Sequence, residues 1–422
     1  MNKNLLLTVV VLLVGSFCFS AALSEQQSED LMRSVKASKT VDIGKPDTPV
    51  LEGYYRFSLK LLQSTSARQP ENIMVSPLSV YLALAMTANG AQHETKSAML
   101  STLSDGNSMD EINRTAAIWL NTLETKEKNT VLEIANSIWI QQDYQVAQGF
   151  LQSNADFYKA AAKALNFAGL AAAKSINDWV SDATKGKIDS IIDQTSADML
   201  MILINASYFK SLWEDPFETK RTSDRIFHTP SGDRTTAFLN STRNMQWLEH
   251  DGAQGIMLPY NGRRFWFFAI MPDKNTDVRS WLNRQQPQIL FSLLVQSVER
   301  RASEVELALP KFKALYEDSL LADLAAMGMD IAFKADKADF SLMSAAGTKD
   351  LFISDVKHKT FIQVDEEGTE AAAVTSVVMK ATAMAPQQIR KIVFDRPFFY
   401  GILDQETQLP LFIGILDTPK AP

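Results

Sequence analysis

Val356, His358, Thr360, Ile362 and Val364 share one parity, while Asp355, Lys357, Lys359, Gln363 and Asp365 share the other. This period of two predicts a strand with a buried even face, and His358 falls on that face. Glu366, Glu367 and Gly368 then form a turn signal, and a second run with the same period follows. Thr369, Ala371, Ala373, Thr375, Val377 and Met379 are uncharged, and the only charges, Glu370 and Lys380, lie on the opposite parity. The two runs together predict a hairpin. Its second strand is unusual, because alternating Ala and Thr bury less apolar area than Val, Ile or Phe, and Ala has poor strand propensity. Such a segment fits into a sheet without steric hindrance and need not reside there.

The rest of the chain mixes helical and strand periods without regular alternation, which predicts an α+β protein. Ser76-Pro77 reads as a helix start, the hydroxyl capping free amides and proline occupying the first turn, and Gly90 reads as its end. Leu78, Leu82 and Ala85 recur at helical spacing, and Ala83, Ala85 and Ala88 suit close burial. Further helices are predicted at 53–63, 110–127, 147–161, 173–184 and 317–327. Strands are predicted at 199–209, 255–260, 264–272 and 304–312.

Composition narrows the function. The 422 residues are 46% hydrophobic and 22% charged, an ordinary globular balance, and no linker or repeat divides the chain after about residue 50. One large domain over residues 49–422 is expected. The formal charge of -7 disfavours a general nucleic-acid or anionic-membrane binder. The apolar run from Leu5 to Val14, with small residues at Ser20, Ala21 and Ala22, reads as a signal peptide over 1–22; it is shorter than the roughly 20 residues of a membrane span. An exported protein follows: periplasmic, surface-bound or released. Lipidation at Cys18, the only cysteine, is the minor alternative. Residues 23–48, rich in polar residues, read as a flexible tether.

The four histidines, His93, His228, His250 and His358, show no metalloprotease spacing, and the chain carries no nucleophile elbow, phosphate loop or dinucleotide fingerprint. No cofactor is expected.

The segment NIMVSPLSVYLALAMTANGAQHET, residues 72–95, resembles the helix signature of the serpin family. In order and spacing, so do LEIANSIW (132–139), INDWVSDATKGKI (176–188), INASYFKSLWEDPF (204–217), ALPKF (308–312), ADFSLM (338–343), HKTFIQVDEEGTEAAA (358–373) and FDRPFFYGIL (394–403). The resemblance spans about residues 49–419. It implies a serpin fold of three β-sheets with eight or nine helices, in which the alternating run after the turn is an exposed reactive-centre loop, about 366–386. It also implies a monomeric, irreversible inhibitor of serine endopeptidases, with cysteine endopeptidases a further target class, and no catalytic residue of its own. The loop is cleaved, the protease is trapped as an acyl-enzyme, and about 14 residues, roughly 45 Å at strand rise, insert into the central sheet. A non-inhibitory carrier or chaperone is the alternative. Such relatives carry bulky, charged or proline residues in the hinge, whereas GTEAAAVTS has no bulky residue or proline, and its one charge, Glu370, lies on the parity opposite to Thr369, Ala371 and Ala373.

By the same resemblance the hinge comprises Glu366, Glu367, Gly368, Thr369, Glu370, Ala371, Ala372 and Ala373. Gly368 permits the hinge turn and Thr369 leads the insertion. Ser76, Ser79, Asn205 and His358 match the polar cluster beneath the sheet, and Trp213, Lys311 and Glu366 match the region where insertion starts. The family's hinge length puts the scissile bond between Thr382 and Ala383, which suits an elastase-like or subtilisin-like protease. A bond between Lys380 and Ala381 would instead suit a trypsin-like one.

Overall fold

The computed structural model describes residues 28–41, 44, 47–69, 71–124, 126–369 and 389–421. The expected signal peptide over 1–22 and Cys18 lie outside these residues, as do Glu370, Ala371, Ala372, Ala373, Lys380, Ala381, Thr382 and Ala383. Among the described residues the fold is α+β, with nine α-helices and three sheets.

The central sheet has seven strands in the order Glu29–Asp30, Ala161–Leu165, Thr130–Gln141, Met201–Leu212, Gly368–Thr369, Asp355–Val364 and Phe312–Ser319. The long strand Gly232–His250 joins the other two sheets. Its residues 232–245 pair with Ser223–Thr229 and Ser303–Pro310, and its residues 246–250 pair with Ala253–Pro259 in a second layer. That layer continues through Phe265–Pro272, Phe398–Asp404 and Leu409–Leu416 to Ile73–Val75.

Between the central sheet and this layer runs the helix Pro77–Ala88, all twelve residues of which are buried. Burial on every side explains why its sequence is apolar around the whole circumference rather than on one stripe. Ser76 stands at the N-cap position with Pro77 in the first turn, but its hydroxyl does not cap the helix. The helix ends at Ala88, before Gly90. Glycine is required at 90 by close approach, since a Cβ there would lie 2.1 Å from Met343 Cγ. On the outer face of the central sheet, the helix Ala172–Ala183 packs Ile176 and Val180 against Trp139, Ile202, Ile204 and Ala206.

Several boundaries differ from the sequence expectation. The helix expected at 53–63 runs over Thr48–Arg68. The segment expected to be helical over 317–327 continues a strand to Ser319, and the helix begins at Leu321, α-helical over Leu321–Leu324 and π-helical over Ala325–Met329. The strand expected over 304–312 is two strands, Ser303–Pro310 and Phe312–Ser319, divided at Lys311. Residues 28–41, expected as part of a solvated tether, instead form a strap. Glu29–Asp30 adds an antiparallel strand to the sheet edge at Lys163 and Ala164, and Leu31, Met32 and Val35 pack against the core. The Ser38 and Lys39 amides donate to the Asp156 carboxylate, and Asn121 Nδ2 donates to the Val41 carbonyl at 2.7 Å.

Removing residues 23–41 is therefore expected to destabilise the protein by roughly 2–4 kcal/mol, the worth of three partly buried apolar side chains. Calorimetry of the truncated and full chains checks this, and an unchanged melting temperature contradicts it.

Candidate functional site

The strands Met201–Leu212 and Asp355–Val364 are paired directly, in parallel, from Ile202 and Asp355 to Tyr208 and Phe361. Beyond Tyr208 and Phe361 they part. Gly368 and Thr369 occupy the split, antiparallel to both: Gly368 lies opposite Leu212, and Thr369 lies opposite Ser211 on one side and Val364 on the other. The central sheet thus holds a seam that is closed over most of its length and wedged open at one end by the first two residues after the Glu366-Glu367 turn.

The wedge is held from several sides. Asp365 Oδ1 accepts from the amides of Glu367 and Gly368 at 3.0 and 3.2 Å, which fixes the turn. The Trp213 and Phe217 amides donate to the carbonyls of Glu367 and Glu366 at 2.8 and 2.7 Å, and Trp213 Nε1 donates to the Asp365 carbonyl at 2.9 Å. Trp213 stacks on Tyr260 with ring centroids 4.6 Å apart, and the Tyr260 hydroxyl lies 2.6 Å from Thr369 Oγ1. A Cβ on Gly368 would sit 2.1 Å from the Ser211 carbonyl oxygen and 2.7 Å from Leu212 Cα, so glycine there permits close approach to the neighbouring strand as well as the turn.

Glu366 is nine-tenths buried beside the wedge. Its carboxylate pairs with Lys311 Nζ at 2.7 Å and accepts from Thr222 Oγ1 at 2.7 Å. Burial raises its pKa, but the Lys311 ammonium and the Thr222 hydroxyl together outweigh burial and hold the carboxyl below its usual range.

Beneath the closed seam lies a second group. His358 and Asn205 are partners across it, both fully buried. His358 Nε2 accepts from the Ser76 amide at 3.0 Å, which leaves the ring proton on Nδ1. Nδ1 faces the Asn205 backbone carbonyl without a hydrogen bond of normal geometry. Ser76 Oγ, Asn205 Oδ1 and Ser207 Oγ are likewise buried without a protein partner. Ser79 Oγ donates to Asn136 Oδ1 at 2.7 Å, and Asn136 pairs with Asn205 across the next strand.

The residues singled out from the sequence therefore fall into two places on one seam. Trp213, Lys311 and Glu366 are at its open end, and Ser76, Ser79, Asn205 and His358 are under its closed length. Tyr260, Thr222, Asn136 and Ser207 belong to the same two groups but carried no local signal. Each is distant in sequence from the partner that gives it meaning.

A family model described as Serpin (serine protease inhibitor) matches residues 52–419. An uncharacterized serpin-like protein of Thermococcus kodakarensis is 32% identical, with 89% of this chain and 87% of that protein covered. Human leukocyte elastase inhibitor is 30% identical, with 86% and 98% covered. Among solved structures, the thermophilic serpin Tengpin in its native state is 36% identical and covers 93% of this chain and 100% of its own, with a TM-score of 0.86; Tengpin in its latent state gives 0.76.

Burial pushes the His358 pKa down to about 3, so the ring is neutral at physiological pH. Below about pH 6.5 the unfolded chain takes up a proton here that the folded state refuses, so stability is lost as pH falls towards 3, with a slope of up to about 1.4 kcal/mol per pH unit. Urea unfolding between pH 7.5 and 5 is expected to show a steeper loss for the parent protein than for His358→Gln; equal slopes contradict this.

Proposed function

The chain belongs to the serpins, a family of serine protease inhibitors rather than enzymes, and from that premise we propose that it is an irreversible suicide-substrate inhibitor of serine endopeptidases. The observation that carries this reading is the wedged seam. Gly368–Thr369 has entered the split as the first two residues of a strand antiparallel to both neighbours.

Continuing that register supports insertion of the segment that follows. Residue 378 would fall opposite both Ile202 and Asp355, which are already partners in the closed seam, so one register satisfies both edges. Residue 375 would fall opposite both Asn205 and His358, bringing the Thr375 hydroxyl to the group of unpartnered buried polar atoms. The odd parity, Thr369, Ala371, Ala373, Thr375 and Val377, would face the core. Glu370 would lie opposite Lys210 on the outer face. Small, uncharged residues suit a strand that must slide between two others.

The reaction begins when the target's serine oxygen attacks the carbonyl carbon of the bait residue. The peptide bond to the next residue breaks, the new amine takes a proton, and the bait acyl group remains esterified to the protease. Insertion then gains main-chain hydrogen bonds worth on the order of 10 kcal/mol over about ten residues. The tethered protease is displaced and its oxyanion hole distorted, which stops deacylation. The bait bond is Thr382–Ala383 in this reading, and its small residues favour an elastase-like or subtilisin-like target. The resemblance to a protein named leukocyte elastase inhibitor supports that choice. Cleavage after Lys380 would direct the inhibitor to trypsin-like enzymes instead. The apolar start of the chain supports export.

Incubation with an elastase-like protease is expected to yield a detergent-stable covalent adduct and a released peptide beginning at Ala383. Simple cleavage across a panel of serine proteases would sink the reading and favour a carrier role, and a peptide beginning at Ala381 would move the bond to Lys380. Thr369 is fully buried. Thr369→Arg, which places a long charged side chain where Tyr260 and the two strands enclose it, is expected to convert the protein into a substrate while the closed seam stays folded. Undiminished inhibition by this variant contradicts insertion.

A further inference from the structure

The outer face of the central sheet carries an aromatic contact across the seam that the inhibitory reading does not use. Tyr208 and Phe361 are the uppermost directly paired residues of the two parallel strands, the first closed pair beyond the wedge. Their rings are stacked, with centroids 6.4 Å apart and planes 18° from parallel. A lysine flanks each ring: Lys187 Nζ lies 5.6 Å from the Tyr208 centroid, and Lys313 Nζ lies 5.4 Å from the Phe361 centroid. Both distances are within the roughly 6 Å over which a cation is drawn to a ring face. Leu315, more than half exposed, lies opposite Phe361 on the edge strand and extends the apolar row.

We propose that Tyr208 and Phe361 are a latch whose separation sets the rate at which the bait segment enters the central sheet, an inference that rests on the inhibitory reading above. Continuing the register of the wedge places residue 372 between Tyr208 and Phe361. A strand inserted there moves its neighbours from about 4.8 Å to about 9.6 Å apart. The ring centroids then separate well beyond the roughly 7 Å limit of an aromatic pair. The stacking is thus present with the seam closed and lost once it is filled.

The inner face offers little resistance at the same level. Ser207 lies there with no partner for its hydroxyl, and Thr360 bonds to the Met74 carbonyl rather than across the seam. The outer aromatic pair is therefore the side-chain contact that meets an entering strand first, ahead of the Asn205 Nδ2–Lys357 carbonyl bond deeper in the seam. Residue 372 is alanine, small enough to pass between the rings once they part.

The test uses Tyr208→Leu, Phe361→Leu and the double variant, which keep apolar volume while removing the ring pair. A synthetic peptide with the sequence of residues 369–380 is added to each intact protein, and its incorporation is followed by native electrophoresis. Either single variant is expected to incorporate the peptide roughly two- to tenfold faster than the parent, with the double variant no faster than the quicker single one. Thermal denaturation of the four proteins before and after loop cleavage gives the coupling between the two positions in each form. Coupling in the intact form that vanishes in the cleaved form supports the latch and distinguishes it from ordinary loss of packing. Rates equal to the parent's, or equal coupling in both forms, overturn the latch while leaving the inhibitory reading intact. Failure of the parent itself to take up peptide or to gain stability on cleavage overturns both.

Discussion

The strands Met201–Leu212 and Asp355–Val364 run in the same direction along the middle of the central sheet. Any segment that turns back from the end of Asp355–Val364 must run antiparallel to that strand, and therefore antiparallel to Met201–Leu212 as well. One strand can thus join both neighbours in the more stable antiparallel arrangement, replacing one parallel ladder with two antiparallel ones. The Glu366-Glu367-Gly368 turn makes that reversal, and Thr369 already has a backbone partner on each side. The proposed activity rests on this asymmetry: the closed seam is a complete structure, and in that reading a more stable one lies next to it.

What keeps the seam closed is modest by comparison with what surrounds it. Ser76 Oγ, Asn205 Oδ1 and Ser207 Oγ gather beneath it without protein partners, so none of these atoms adds a bond across it. The layer below is closely packed, with Tyr54, Tyr81 and Trp119 in mutual edge contacts around the central helix. The stability of the whole therefore says little about the stability of the seam. Neutral His358 under the closed length and the Lys311–Glu366 pair at the open end tie the seam to fixed ionisation states.

The alternation from Asp355 to Val364 was legible because a strand's period is local, and the buried positions of Val356, His358, Thr360, Ile362 and Val364 follow it. The weak apolar content of the next run pointed to a segment made to enter a sheet rather than to live in one. Longer-range features left no such trace. Gly232–His250 is mostly polar along its first half and changes sheets midway, so no single period describes it. Residues 317–319 carry a helical-looking composition but are held in the edge strand by pairing with residues 357–359. The strap at 28–41 reads as solvated because most of its hydrogen bonds to the rest of the chain use backbone groups, which every sequence has. Tyr260 and Tyr208 matter through partners far away in the chain.

If the closed seam is less stable than the filled one, cleavage of the loop releases the difference. Scanning calorimetry of the protein before and after a single cut within residues 370–388 compares the two states of the same chain. The cut form is expected to melt far above the intact form, consistent with a gain on the order of 10 kcal/mol from the added strand. A cut form that melts at or below the temperature of the intact protein would contradict it.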